Sequence, residues 1–191
     1  MSAAQEAREG PPSSGPKALP PEPRAGSELS EFEFMLTVLM YGFQRWVENC
    51  MDSSGVRGLA AIDILALHAV NRRARRRRIA EICMIMNIHD THLVSYALKK
   101  LISAGLVTVE TSGREHFYET TPAGDEVCAG YLGKREQILF SKIMMVVPTG
   151  EEFDHGMSLI SQMIALYDQA TRLAIADHRG TVRPPPLHTK R

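Results

Sequence analysis

The chain has little cysteine. Cys50, Cys83 and Cys128 are the only three in 191 residues, and their odd number and wide spacing argue against a disulfide framework and fit a reducing compartment. It carries no net charge, with 22 basic and 22 acidic side chains. Aromatic residues make up only 6% of it. No apolar run approaches the roughly 18 residues that suggest a membrane span, and the N-terminal "MSAAQEAREGPPSSG" lacks the apolar stretch of a secretory signal. A cytoplasmic protein with no membrane partner is expected. There is no Gly-rich phosphate loop, nucleophile elbow or acid pair in a recognisable setting, so the chain reads as no enzyme and as needing no cofactor.

What is present is a 44% hydrophobic composition, enough for one core with flexible ends. Residues 1–27 are dominated by Pro, Gly, Ser, Ala and charge and read as a disordered tail. The ending "GTVRPPPLHTKR" reads the same way, and its three prolines exclude a helix. Between the tails, the punctuation predicts six helices and one hairpin. Ser30 and Glu33 form a capping box for a first helix reaching Asp52–Gly55. That helix is apolar nearly all round, as expected of one buried on several sides. A second helix spans about Leu59 to Asn71, a third Ile79 to Met86, and a fourth Thr91 to Ala104, N-capped by Asp90 and ended by Gly105. "LVTVETSGREHFYETT" reads as a hairpin with Gly113 at its tip. Thr121 then caps a helix starting at Pro122 and stopped by Pro148. Thr149 and Glu152 cap a last helix to about His178.

Two short helices around a tight turn, followed by a hairpin, make a winged helix-turn-helix. In the fourth helix Val94, Ala97, Leu98, Leu101 and Ile102 share an inner face, which leaves His92, Ser95, Tyr96, Lys99 and Ser103 outward. Such a helix suits a major groove about 12 Å wide, where its side chains reach base edges. The run "NRRARRRRIAE" puts six arginines (Arg72, Arg73, Arg75, Arg76, Arg77, Arg78) just before the motif. From Arg72 to Lys100, eight basic residues stand against Glu81 and Asp90, a local charge of +6 that leaves −6 for the remainder. An acidic body with one basic face is the footprint of a nucleic-acid binder. Expected contacts to double-stranded DNA are Arg75, Arg76, Arg77, Arg78, Thr91, His92, Ser95, Tyr96, Lys99, Lys100 and, at the hairpin tip, Arg114. The bland alternative is a solvated basic face.

The block "IAEICMIMNIHDTHLVSYALKKLISAGLVTVETSGREHFYETTPAGDEV" resembles the DNA-binding half of MarR-family transcriptional regulators, above all in "LKKLISAGLV" and "TPAGDEV". The resemblance covers about residues 30–179. It implies a mainly α fold with a small β-hairpin wing: a core at about 56–121 and dimerisation helices at about 30–52 and 122–179, within a domain of 28–179 and a C-terminal tail of 180–191. It also implies a homodimer on an inverted-repeat operator, released by a small ligand. Two features depart from the family pattern. The turn "MNIHDTH" is one residue longer than the usual "LGLS" type, and the wing is shorter, so the arginine run is expected to supply phosphate contacts that a fuller wing would make.

Several residues have competing readings. His89 and His92 supply at most half of a tetrahedral zinc site, so no metal is expected. Cys50 is a core residue in the favoured reading and an oxidation sensor in the rival one; Cys83 and Cys128 read as core. Met35, Met40, Met144, Met145, Met157 and Met163 suit a dimer core or an adaptable ligand surface. Tyr41, Arg45 and Trp46 are candidates to line an effector pocket. The rival from another class is a winged-helix protein-interaction module without sequence-specific DNA binding.

Overall fold

The structure, a computed structural model, describes residues 24–72, 75–143 and 150–181. Arg73, Met144, Met145, Pro148, Thr149 and most of both expected tails lie outside those residues. Helix α1 (Arg24–Ser53) starts ahead of the expected Ser30–Glu33 box. Ser30 is an interior residue whose hydroxyl donates back to the Gly26 carbonyl at 2.9 Å, a bond that satisfies the hydroxyl without ending the helix. Helix α2 (Ala61–Asn71) starts two residues later than the apolar pattern suggests. Its first free N–H groups are taken by carboxylates: Glu48 accepts from Ala61 and Asp63 from Ala60, both at 2.9 Å. Leu59 is buried but precedes the helix.

Helices α3 (Ile79–Met86) and α4 (Thr91–Ser103) are joined by four residues. Asn87 takes a left-handed conformation at φ 52°, as Asn tolerates better than most residues. The Ile88 N–H then bonds the Cys83 carbonyl at 2.9 Å. Asp90 caps α4 through the His92 N–H at 2.9 Å. Strands β1 (Val107–Ser112) and β2 (Glu115–Thr120) pair antiparallel from Val107↔Thr120 to Ser112↔Glu115. The two-residue turn uses Gly113 at φ 64°, a value glycine adopts without cost.

Helix α5 (Pro122–Arg135) passes through a π-helical turn (Glu136–Phe140) into a last α-helical turn (Ser141–Ile143). The Arg135 guanidinium lies 5.0 Å from the centre of the Phe140 ring. Helix α6 (Glu151–Thr181) opens with Glu151, Glu152 and Asp154 against its positive end and runs past the expected stop at Gly180. Among the described residues no helix is long and apolar enough to cross a membrane.

The core joins the C-terminal half of α1 (Val47, Cys50, Met51) to Ile64, Leu67 and Val70 of α2, Ile82 of α3, Val94, Leu98 and Leu101 of α4, and Cys128 and Tyr131 of α5. Tyr131 shares a hydrogen bond with Trp46 and stacks at a tilt on His68, ring centres 4.6 Å apart. Burial pushes the Cys50 and Cys83 thiols up, and burial with Asp125 nearby pushes Cys128 up to about 12. All three are poor thiolates in this setting. The first half of α1 departs from expectation. Phe34, Met35, Leu39 and Tyr41 are each more than half exposed, because the core is reached only from Val47 onward.

The wing is fixed to α5 by a compact junction. The Thr121 hydroxyl donates to the Gly105 carbonyl at 2.7 Å and accepts from the Gly124 N–H at 3.1 Å, while the Thr121 N–H bonds the Leu106 carbonyl at 3.0 Å. Gly124 packs so closely that an added Cβ would lie 2.1 Å from the Leu106 oxygen. Backbone there cannot yield without breaking the Thr121 bond. Gly124→Ala should therefore destabilise the protein by about 1–3 kcal/mol, the cost of overpacking a tight site; urea unfolding would read it, and unchanged stability would contradict the junction.

Candidate nucleic-acid interface

The basic run leaves the C-cap of α2 at Arg72, and the part described after it, residues 75–78, leads to α3 with one residue paired to the wing. Arg77 makes an antiparallel bridge to Tyr118, with its N–H donating to the Tyr118 carbonyl at 2.9 Å and its carbonyl accepting at 2.8 Å. Arg77 thereby lies beside β2. Successive side chains of an extended segment point to opposite faces, and Arg75, Arg76 and Arg77 divide accordingly, while Arg78 reaches carboxylates on both sides. Arg75 and Arg77 approach Glu81 of α3, at 2.8 and 3.8 Å. Arg76 reaches Glu110 on β1, and Arg78 reaches Glu115 on β2 at 2.8 Å and Glu81 at 3.5 Å.

This geometry changes the expected roles. Arg77 is only 3% exposed and its guanidinium donates to the Arg72 carbonyl, so it is a structural residue and not available to a phosphate. Lys100 is likewise committed within the protein. Its ammonium donates to Asp63 at 2.6 Å, and Asp63 is 2% exposed. A buried carboxylate needs such a partner, and the pair ties α4 to the start of α2. Arg75, Arg76 and Arg78 keep about half of their side-chain surface in solvent.

On α4, burial of Val94, Ala97, Leu98 and Leu101 turns Thr91, His92, Tyr96 and Lys99 outward, while Ser95 is half-buried. Arg114 is exposed at the wing tip. The wing is braced by the contact of Thr111 Oγ1 with His116 Nδ1 at 3.0 Å. Two exposed apolar residues were missed in the sequence: Leu93 on α4 and Met84 on α3. Leu93 was legible, because at 100° per residue it falls 90° from the centre of the buried face formed by Val94, Ala97, Leu98 and Leu101. His89 and His92 are both exposed. Among the described residues, no three His, Cys, Asp or Glu side chains come together as a metal-ligand set.

A separate cleft of about 430 Å³ lies between α1, α2 and the α3–α4 turn, lined by Gln44, Ile62, Leu65, His68, Arg72 and Met86 among others. It is mainly apolar, with an imidazole and a guanidinium. Among the described residues His68 Nε2 is buried without a hydrogen-bond partner, and burial, with Arg135 nearby, lowers its pKa. The residues expected to line a pocket lie elsewhere. Tyr41 and Arg45 are exposed on α1, and Trp46 packs against the core.

Residues 59–124 match the family model described as a winged helix DNA-binding domain. Among solved structures, the chain is similar to a MarR family regulator from Neisseria meningitidis at 14% identity and TM-score 0.60, covering 78% of this chain and 98% of that one. It is also similar to a Staphylococcus aureus MarR in complex with salicylate and kanamycin (16% identity, TM-score 0.56, 76% and 96% covered). A third likeness is to the transcriptional regulator BldR from Sulfolobus solfataricus (19%, TM-score 0.55, 74% and 99%). No curated protein matches the sequence.

The division of the arginines gives a stability test. Arg77→Ala leaves the Arg72 carbonyl without its donor and removes a buried guanidinium from the packing beside Glu81, which keeps Arg75 and Arg78, and should cost about 2–3 kcal/mol, as for buried hydrogen bonds to charged groups. Arg75→Ala, Arg76→Ala and Arg78→Ala each remove a half-exposed ion pair and should cost at most about 1 kcal/mol. Equal losses at all four positions in urea unfolding would contradict the buried role of Arg77.

Proposed function

From a chain that carries a winged helix DNA-binding domain and has the fold of MarR-family transcription regulators, we propose a homodimeric, sequence-specific DNA-binding regulator, released from an inverted-repeat operator by a small ligand. The observation that carries this reading is the outward face of α4 lying beside three half-exposed arginines and a basic wing tip. In this reading Thr91, His92, Ser95, Tyr96 and Lys99 meet base edges, while Arg75, Arg76, Arg78 and Arg114 grip phosphates. The ion pairs of the first three do not stand in the way. Exposed pairs contribute about 0–1 kcal/mol, so a phosphate can replace Glu110 or Glu115 at small cost.

Dimerisation is supported by the long helices at the two ends. Phe34, Met35, Leu39 and Tyr41 of α1 and Phe153, Ile160, Leu166 and Leu173 of α6 are about half exposed or more, a larger apolar surface than a monomer normally leaves in water. Tyr167 of α6 donates to Glu33 of α1 at 3.0 Å, which brings the two helices together. Two-fold symmetry would then set the reading helices about 34 Å apart, one turn of DNA.

The cleft is the proposed effector site. It touches α1, which leads into the dimerising helices, and the α3–α4 turn, which carries the reader. A ligand with an apolar body and an anionic or acceptor group fits Ile62, Leu65 and Met86 beside Arg72 and His68. The complex of the S. aureus relative with salicylate is in keeping with such a ligand. By favouring one spacing of the two readers, the ligand shifts the population away from the DNA-bound form.

Two measurements test this reading. In sedimentation equilibrium the protein should have twice the chain mass, and Leu39→Glu should return it to the monomer; a wild-type monomer would contradict the dimer. In fluorescence anisotropy with duplex from upstream of its own gene, between about 50 and 200 mM salt, log affinity should fall with log salt at about −0.9 per phosphate contacted. Changing Arg75, Arg76 and Arg78 together to alanine should flatten that slope by about 3 per protomer. An unchanged slope would remove these arginines from the interface, and no preference for the native over a scrambled duplex would favour a protein-interaction module.

A further inference from the structure

The chemistry of the α4 surface is narrower than its position suggests. Its sequence, THLVSYALKKLIS, contains no Arg, Asn, Gln, Glu or Asp. Those side chains make the paired hydrogen bonds that read guanine, adenine and cytosine in the major groove. Lys100 is committed to Asp63, and the Asp90 carboxylate that precedes the helix accepts the His92 N–H. Lys99 is then the one cation that α4 offers to a base. Beside the polar Thr91, His92 and Lys99, the helix exposes an apolar edge: Leu93 at 52% and Tyr96 at 73%. They are neighbours at i and i+3 on the helix surface, and Thr91 adds a methyl group near its N-terminal end. Such an edge matches one feature of the groove, the C5-methyl group of thymine.

We propose that Leu93 and Tyr96 are specificity-determining residues that select thymine by packing on its C5-methyl group. This rests on the reading of α4 as a major-groove helix. It extends that reading by naming what the helix selects: half-sites with thymines at fixed positions, with a secondary contribution from Lys99 at guanine. Apolar contact has a distinctive consequence. Recognition should depend on the methyl group alone, not on the hydrogen-bonding pattern of the base, which uracil shares with thymine. Losing one buried methyl corresponds to about a fourfold change in affinity, so two contacts per half-site give roughly ten- to twentyfold.

The test begins with a pool of 30-base-pair random duplexes, enriched by the full-length protein. The enriched duplex is then remade with deoxyuridine replacing thymidine one position at a time. Wild-type protein should lose about fourfold at each of a few thymines within the half-sites, and nothing at thymines outside them. Leu93→Ala and Tyr96→Ala, both at exposed positions, should keep the wild-type melting temperature, bind more weakly and become indifferent to those same replacements. An enriched duplex whose affinity is unchanged by every deoxyuridine overturns methyl reading while leaving DNA recognition standing. A pool that does not enrich overturns both, and the apolar edge is then one that meets a protein.

Discussion

Burial of the Arg77 side chain, together with the pairing of its backbone to Tyr118, is the constraint on which the rest of the reader depends. A guanidinium taken out of water needs partners on every side, and here they come from the Arg72 carbonyl and the carboxylate of Glu81. Meeting that need draws the end of α2, the start of α3 and the second strand of the wing to one point. The extended backbone then divides Arg75 and Arg76 by alternation. Arg76 and Arg78 stay exposed and brace the two strands through Glu110 and Glu115, Arg78 also pairing with Glu81. A dense cluster of like charge is thus held together by interleaved carboxylates, Glu81 from the adjoining helix and Glu110 and Glu115 from the wing.

The pairing also explains how a chain of zero net charge can offer a basic surface. Glu81, Glu110 and Glu115 neutralise the arginines at short range but do not bury them, except for Arg77. Surface pairs of this kind are weak and screened by salt. Their cations remain available to a stronger, multiply charged partner, whereas the Asp63–Lys100 pair has a buried carboxylate and acts as a tie between helices.

The junction around Thr121 and Gly124 and the cleft beneath α1 place the reader in mechanical contact with the outer helices. The wing is joined to α5 through backbone atoms of Leu106 that leave no room for a side chain. The cleft, on another side of α2, is bounded by α1 and by the α3–α4 turn. Helices α1 and α5 are thus joined to α4 through α2 and the wing by packed contacts.

Local chemistry by itself determined much of this protein. Ile79–Met86, the start of α4 at Thr91 with its Asp90 cap, the turn at Gly113, and Thr121 with Pro122 at the head of α5 are readable because caps, left-handed turns and helix starts depend on neighbours within four residues. The buried stripe of α4 is readable from its period. Only the tertiary structure decided that Arg77 turns inward while Arg76 and Arg78 stay exposed, that Lys100 belongs to Asp63, and that Gln44, His68 and Arg72 line one cleft. The physical reason is plainest in the first two. Each side chain's role is set by a partner 4 to 41 positions away on another segment: Glu81 and Tyr118 for Arg77, Asp63 for Lys100. A run of identical residues carries no mark of which member will meet its partner until the strand beside it is in place.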